Sequence, residues 1–455
     1  MSEKSIAHQL PGAKILSGPS PWQVLQRDSE GYASVSVDGI WVWEEPGVVQ
    51  IRVASEYDGS SVAGCDWRDA EMLNDKQWRA ELRIPTGGLY KIETRLGGLT
   101  GDKIWHIAVG DIWVIAGQSN AVGYGRGPVV DPPMLGVSLF GTNEEWRLAT
   151  HPIFDPTGTK HAANYDPGWI DVSPWLTFGK VIYERAGVPV GLIPAALGGS
   201  PLCAWDPGSD NPFLFDNMNN MIEAAGDRVA GMVWYQGCSD TNTDIEAQTY
   251  LERFTRFIEV FRARYGSDLP VLIVQLNRHI DAPECNNQRW SMVREAQRQA
   301  ALQIPNLGVV PTLDLPLSDA IHTSAAGNVM LGQRLGNAAL SIAYGQDIKW
   351  QAANLAEALF VDADRKTIKL RFEDLNGFFL PISANIGAEF AVEDAEGSIP
   401  LAGAGFVGPS EISLELSRNA VGKTVCHSGF GGNPTTVLRD INQVPILTFY
   451  GVEVH

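Results

Sequence analysis

Residues 112–120 read Ile-Trp-Val-Ile-Ala-Gly-Gln-Ser-Asn: five apolar residues run unbroken into Gly117 and a polar tripeptide. A segment apolar at every position fits a strand buried on both faces, as in a parallel sheet covered by helices. The glycine and the polar residues behind it mark a turn at the strand's carboxyl end. Further short apolar runs stand at 190–195, 230–235, 271–276 and 308–313. Stretches with helical period alternate with them at 175–186, 213–225, 245–265, 288–303 and 325–343. Strands of this kind, each followed by a helix, predict an α/β fold around a parallel sheet.

Outward from this span the pattern changes. Before it, Trp78, Ala80, Leu82 and Ile84 alternate with charged residues, and after a Pro-Thr-Gly-Gly turn at 85–88 come Tyr90, Ile92 and Thr94. That is a hairpin signal, and Val49, Ile51 and Val53 repeat the period of two. After Gln346 alternation returns at Ile368, Leu370 and Phe372 and again at Ile412, Leu414 and Leu416. A chain of 455 residues exceeds a single core, with roughly three domains expected. The divisions fall at 1–106 (β), 107–345 (α/β) and 346–455 (β), with β-sandwich-like flanks and no internal repeat or low-complexity tract.

Apolar residues make up 44% of the chain, as in ordinary folded proteins, and the formal charge is −19. That field repels phosphate, so neither nucleic acid nor anionic membrane is an expected partner, and a neutral substrate suits it better. Cys65, Cys203, Cys238, Cys285 and Cys426 are too scattered for a metal or redox motif and suggest no disulfide framework. The opening residues, MSEKSIAHQLPGAKIL, lack an apolar leader core, and no later run approaches a membrane span. The expectation is a cytoplasmic protein, or a secreted or periplasmic one if a leader preceded the first residue.

In open α/β sheets, ligands bind beyond the carboxyl ends of the strands. Four polar blocks stand there: Gly117-Gln118-Ser119-Asn120, Leu197-Gly198-Gly199-Ser200, Gln236-Gly237-Cys238-Ser239-Asp240 and Ser318-Asp319-Ala320-Ile321-His322. Together they meet the needs of acyl transfer. A serine hydroxyl becomes a useful nucleophile once a base takes its proton. His322 can serve as that base, and Asp319, three residues earlier, can hold its imidazole in one tautomer. The backbone N–H groups of Ser119 and Gly199 and the side-chain amide of Gln236 can face an oxyanion, with Gly198 the alternative to Gly199. His279 competes with His322 for the base, and Asp314 with Asp319 for the acid.

GQSN, GGS, WYQG and DAIH in this order resemble the SGNH-hydrolase superfamily, in particular its sialate O-acetylesterase and acetylxylan-esterase branch. The resemblance covers about residues 107–345 and extends more weakly to WRAELRIPTGGLYKIETR before them and GFGGNPTTVLRDINQVPILTF after them. It implies a three-layer flavodoxin-like core and hydrolysis of acetyl esters on sugars without metal or other cofactor. Acetylated oligo- or polysaccharides, from hemicellulose or bearing sialic acid, are the implied substrates. Ser119 matches the nucleophile, Gly199 and Gln236 the oxyanion positions, and Asp319 with His322 the acid–base pair. Where many relatives carry glutamate after the Gln-Gly of the third block, this chain has Cys238, leaving Asp319 to orient His322.

Two other functions fit parts of the sequence. A lipase or thioesterase of the same superfamily would need an apolar acyl groove, which polar, tryptophan-bearing loops disfavour. A non-catalytic carbohydrate-binding protein would draw only on the Cys238 departure. The region from Gly123 to Lys160, with Trp169, Trp175 and Trp205, is rich in aromatic and turn residues, and Trp205 and Tyr235, next to the second and third blocks, can stack on a sugar or merely fill the core.

Overall fold

The computed structural model describes residues 11–43, 47–74 and 76–455; most of the stretch inspected for a leader, residues 1–10, lies outside them. The decisive stretch closes a strand far longer than its apolar run, Leu99–Gly117. Its first half is exposed or half-buried apart from Ile104, and from Ile107 onward every residue is buried. The first half forms an antiparallel hairpin with Gly87–Leu96. The second half pairs in parallel with Val190–Pro194 on one side and Gly231–Tyr235 on the other. The expected division between residues 106 and 107 therefore falls inside one continuous strand.

From edge to edge the central path runs Trp146–Leu148, Val137–Phe140, Val190–Pro194, Leu99–Gly117, Gly231–Tyr235, Val271–Val274 and Leu307–Val310. All neighbours are parallel except the edge pair of Trp146–Leu148 with Val137–Phe140. This mixed α/β sheet reverses its direction of growth at Leu99–Gly117, since the next core strands lie to one side and the later ones to the other. Such a switch point opens a crevice at the strands' carboxyl ends.

Helices Trp175–Ala186 and Ala325–Ile342 pack on each other, as do Tyr250–Tyr265 and Asn287–Gln303. The helix expected over 245–265 is two, Asp244–Gln248 and Tyr250–Tyr265, parted at Thr249. There the Thr249 hydroxyl donates to the Ile245 carbonyl and accepts from Arg253 Nε, a local bonding pattern that competes with helix continuation.

Buried apolar residues gather into three clusters, one around the parallel sheet and one in each flank. In the carboxyl-terminal flank, four antiparallel strands between Asn354 and Leu416 share a core with a second sheet that contains Phe390–Asp394 and Val425–Ser428. All five cysteines are unbonded. Among the described residues no helix is long and apolar enough to cross a membrane.

Candidate active site

Gly117 ends the central strand with φ +136°, and a Cβ there would lie 2.3 Å from the Tyr235 carbonyl oxygen. Only glycine lets the chain turn so close to its neighbour. The turn delivers Ser119 to the start of a single helical turn, Ser119–Val122. The Trp175 indole donates to the Ala121 carbonyl at 2.6 Å and braces that turn from beneath.

Ser119 Oγ lies 2.9 Å from His322 Nε2, and His322 Nδ1 lies 2.8 Å from Asp319 Oδ2. The other Asp319 oxygen accepts the backbone N–H groups of Ile321 and His322 at 2.9 and 2.8 Å. Burial raises the Asp319 pKa, but these backbone donors and the imidazole outweigh it and hold the carboxylate below its ordinary range. The residues beside the histidine are pinned as well. Asn120 donates to the Ile321 carbonyl and accepts from the Thr323 N–H, while Asn277 donates to Ile321 and to the Thr323 hydroxyl. Ser324 caps the helix that follows, accepting from the Gly327 N–H.

The serine opens into a hollow of about 370 Å³ lined by Gln118, Tyr124, Gly198, Gly199, Cys238, Ser239, Thr241, Asn242, His279, Asn286, Trp290 and Ile321 besides Ser119 and His322. A hollow of about 420 Å³ on the outer helices, bounded by Ile258, Arg262 and Ile304, carries no such constellation. Gly199 sits at φ +68° beside the serine hollow. Among the described residues neither its N–H nor that of Ser119 has an internal acceptor. The Gly198 N–H is taken by Asp166 Oδ2 at 2.7 Å, which separates the two glycines that the sequence left as alternatives.

Gln236 departs from its expected place. It is fully buried and absent from the hollow's lining. Its amide donates to the Ser200 carbonyl and the Asp240 carboxylate, and its oxygen accepts from Tyr250. Asp240 also accepts the Leu202 N–H and Arg253, and burial pushes its pKa up to about 6. The assignment of Gln236 to the oxyanion is therefore corrected: both polar ends of its amide are engaged one layer beneath the pocket.

Gln118, passed over in the sequence, is the amide beside Ser119 in the lining of the hollow. Its oxygen accepts the Gly237 and Ser239 N–H groups, and its Nε2 has only the distant Ser239 hydroxyl, at 3.4 Å. Tyr124 and Asp166 were missed too. The Tyr124 ring lies 4.8 Å from that of His322, and its hydroxyl donates to Asp166 at 2.5 Å. Asp166 is far in sequence from every block, so only the fold brings it near.

The rivals take other parts. His279 lines the hollow, but no carboxylate bonds its ring among the described residues, and burial lowers its pKa. Asp314 forms a two-pronged pair with Arg334. Cys238 is buried, which pushes its thiol up to about 12 and leaves it protonated at neutral pH. Trp205 and Tyr235 are core residues, bonded to Ser200 and Thr323 respectively.

The profile of the sialic acid-specific acetylesterase family of carbohydrate esterases matches residues 109–341, just over half of the chain. The chain belongs to that family. A probable carbohydrate esterase of Arabidopsis thaliana is 27% identical over 50% of this chain and 90% of its own length. Human sialate O-acetylesterase is 23% identical over 54% of this chain and 55% of its own length, so the match spans about half of that relative. A carbohydrate acetylesterase from Xanthomonas citri of known structure superposes with a TM-score of 0.68 at 22% identity, covering 95% of this chain and 99% of that one. The esterase family thus accounts for the parallel-sheet region, and the Xanthomonas enzyme shares the fold across both flanks.

Proposed function

We propose that this carbohydrate esterase removes O-acetyl groups from sugars through an acyl-enzyme formed on Ser119. One observation carries the reading: a hydroxyl, an imidazole and a carboxylate stand in hydrogen-bonded sequence, at 2.9 and 2.8 Å, at the hollow into which Ser119 opens. His322 Nε2 takes the hydroxyl proton as Oγ attacks the acetyl carbonyl, and Asp319 steadies the imidazolium. The oxyanion faces the N–H groups of Ser119 and Gly199, which have no competing acceptor. His322 then protonates the sugar's ester oxygen as its bond to the acetyl carbon breaks, so that the sugar departs as a free hydroxyl. Water, deprotonated by the same ring, releases acetate and restores the serine.

Within this reading the region from the second half of the strand Leu99–Gly117 to about residue 345 forms a flavodoxin-like SGNH core, and the β flanks before and after it brace it. The modest size of the hollow, about 370 Å³, and the polar side chains of Gln118, Ser239, Thr241, Asn242 and Asn286 around Ser119 favour an acetyl ester on a sugar over a long acyl chain. The substrates are acetylated oligo- or polysaccharides.

The test is acetate release from acetylated xylan, xyloglucan, pectin and sialosides by the parent protein and Ser119→Ala. Loss of the nucleophile should reduce turnover by about 10⁶-fold with the fold retained. A residual rate within tenfold of the parent, or faster hydrolysis of 4-nitrophenyl esters beyond butyrate than of acetate, overturns the reading.

A further inference from the structure

Of the three tryptophans near the strand tips, Trp175 and Trp205 are fully buried, whereas Trp169 is 72% exposed. An indole left so far in water forgoes a large apolar burial and is a recognition candidate when it is held in place beside a site. Trp169 is so held. The Arg126 guanidinium lies 5.6 Å from its ring centroid. The segments bearing the two residues are bridged antiparallel at Gly125 and Val172, and the Asp171 N–H donates to the Gly123 carbonyl.

Both segments are tied to the hollow. The preceding residue, Gly168, donates its N–H to Asp166 Oδ1, which also accepts the hydroxyl of Tyr124. Tyr124 lines the hollow against His322. Arg126 presents its carbonyl to the N–H of Ala325, three residues beyond His322. Trp169 therefore stands one Cα step, about 3.8 Å, from a glycine secured to the pocket wall.

The hollow's capacity makes a second subsite necessary for a chain. At about 370 Å³ it is near the lower end of small-molecule sites, which run from roughly 300 to 1,000 Å³. With the acetylated residue in this hollow, the neighbouring residue of a glycan extends toward its lip. Arg126 covers one face of the indole and leaves the other for the C–H face of a pyranose.

The geometry points to Trp169 as a stacking subsite for the second sugar ring of a glycan whose acetylated residue occupies the Ser119 hollow. This rests on the deacetylase reading of that hollow and makes an oligosaccharide, rather than a lone acetylated sugar, the preferred substrate.

The experiment compares kcat/KM of the parent, Trp169→Ala and Trp169→Phe on two pairs of substrates. These are acetylated xylose against acetylated xylotetraose, and acetylated glucose against acetylated cellotetraose. For the pair the parent hydrolyses, Trp169→Ala should lower the tetramer-to-monomer ratio of kcat/KM about tenfold, or 1.4 kcal/mol, through KM. Trp169→Phe should restore most of it. An unchanged ratio, or equal loss on both members of the pair, overturns the subsite while leaving the deacetylase reading intact. A parent that frees no acetate from any of the four sugars overturns the subsite, and one that also frees none from the acetylated xylan, xyloglucan, pectin and sialosides above removes the deacetylase reading with it.

Discussion

At Asp319 the two carboxylate oxygens have separate tasks, one accepting two backbone N–H groups and the other the imidazole. Asp319→Asn can keep the backbone bonds through its remaining oxygen but offers an N–H₂ to His322 Nδ1. The ring must then carry its proton on Nε2, where it cannot accept from Ser119. Turnover should fall about 10⁴-fold with little change in thermal midpoint; a loss below tenfold would remove Asp319 from the orienting role. Gln236 makes the opposite case, because its amide joins the Ser200 carbonyl, Asp240 and Tyr250 out of reach of the hollow. Gln236→Ala should cost about 1–3 kcal/mol of stability through unsatisfied buried partners. Its kcat should fall by less than the 10²–10³-fold that follows loss of an oxyanion donor. Thermal melts beside acetate kinetics decide: a 100-fold slower enzyme with an unaltered melt returns Gln236 to the oxyanion.

Elements that bury continuous apolar runs were legible, and those shaped by local bonding or by neighbours were not. The parallel strands and the helices Trp175–Ala186 and Phe213–Ala225 follow directly from runs and period. The Val137–Phe140 strand and its Trp146–Leu148 partner escaped because four and three residues carry too little pattern. The four blocks gave Ser119, Asp319 and His322, whereas Tyr124 and Asp166 come to the site only through loop packing that no sequence period records. His427, on the strand Val425–Ser428, belongs to this second kind, and it makes the flank sensitive to acid. Its ring is buried against Tyr450 at 4.6 Å, and Nδ1 accepts the Gly451 N–H. The nearest carboxylate, Glu393, stands 3.9 Å from Nε2, and burial lowers the histidine's pKa from 6.5 to about 4. A base with a depressed folded pKa favours the native state while neutral. Its contribution is whole above about pH 6.5 and is lost as pH falls toward 4. The lost stability reaches up to about 3 kcal/mol. Between pH 7 and 5 the thermal midpoint of the parent should therefore drop more than that of His427→Asn, which keeps an acceptor for Gly451. Equal slopes for the two proteins would count against the assignment.

Over the whole molecule, several side chains tie the carboxyl-terminal flank to the parallel-sheet region, Gln275, Asn287, Ser291 and Arg298 among them, and Arg294 makes the largest number of these bonds. Arg294, on the helix Asn287–Gln303, is 1% exposed and has no carboxylate partner among the described residues. It donates instead to the carbonyls of Leu276 and Asn277, just past the strand Val271–Val274, and of Gly429, Gly431 and Gly432 in the tail. Burial without a counter-ion lowers its pKa to about 9, so it remains charged at neutral pH. The tail it holds also meets the site, since the Gly432 carbonyl accepts the N–H of His279, which lines the hollow. Arg294→Met preserves bulk and removes every donor, leaving a group of buried carbonyls unsatisfied at about 1–3 kcal/mol each where no other donor reaches them. Arg294→Lys keeps three donors where the guanidinium has five and should fall between the parent and Arg294→Met. Hydrogen exchange should rise first at Gly429–Gly432, and KM should rise with it, because the wall carrying His279 loses its backing. Ser119 and His322 rest on other contacts, so kcat should change less than KM. Exchange at the tail that stays at the parent's rate in Arg294→Met would mean that the bonds from Ser291 and Asn287 and the apolar packing hold it without Arg294.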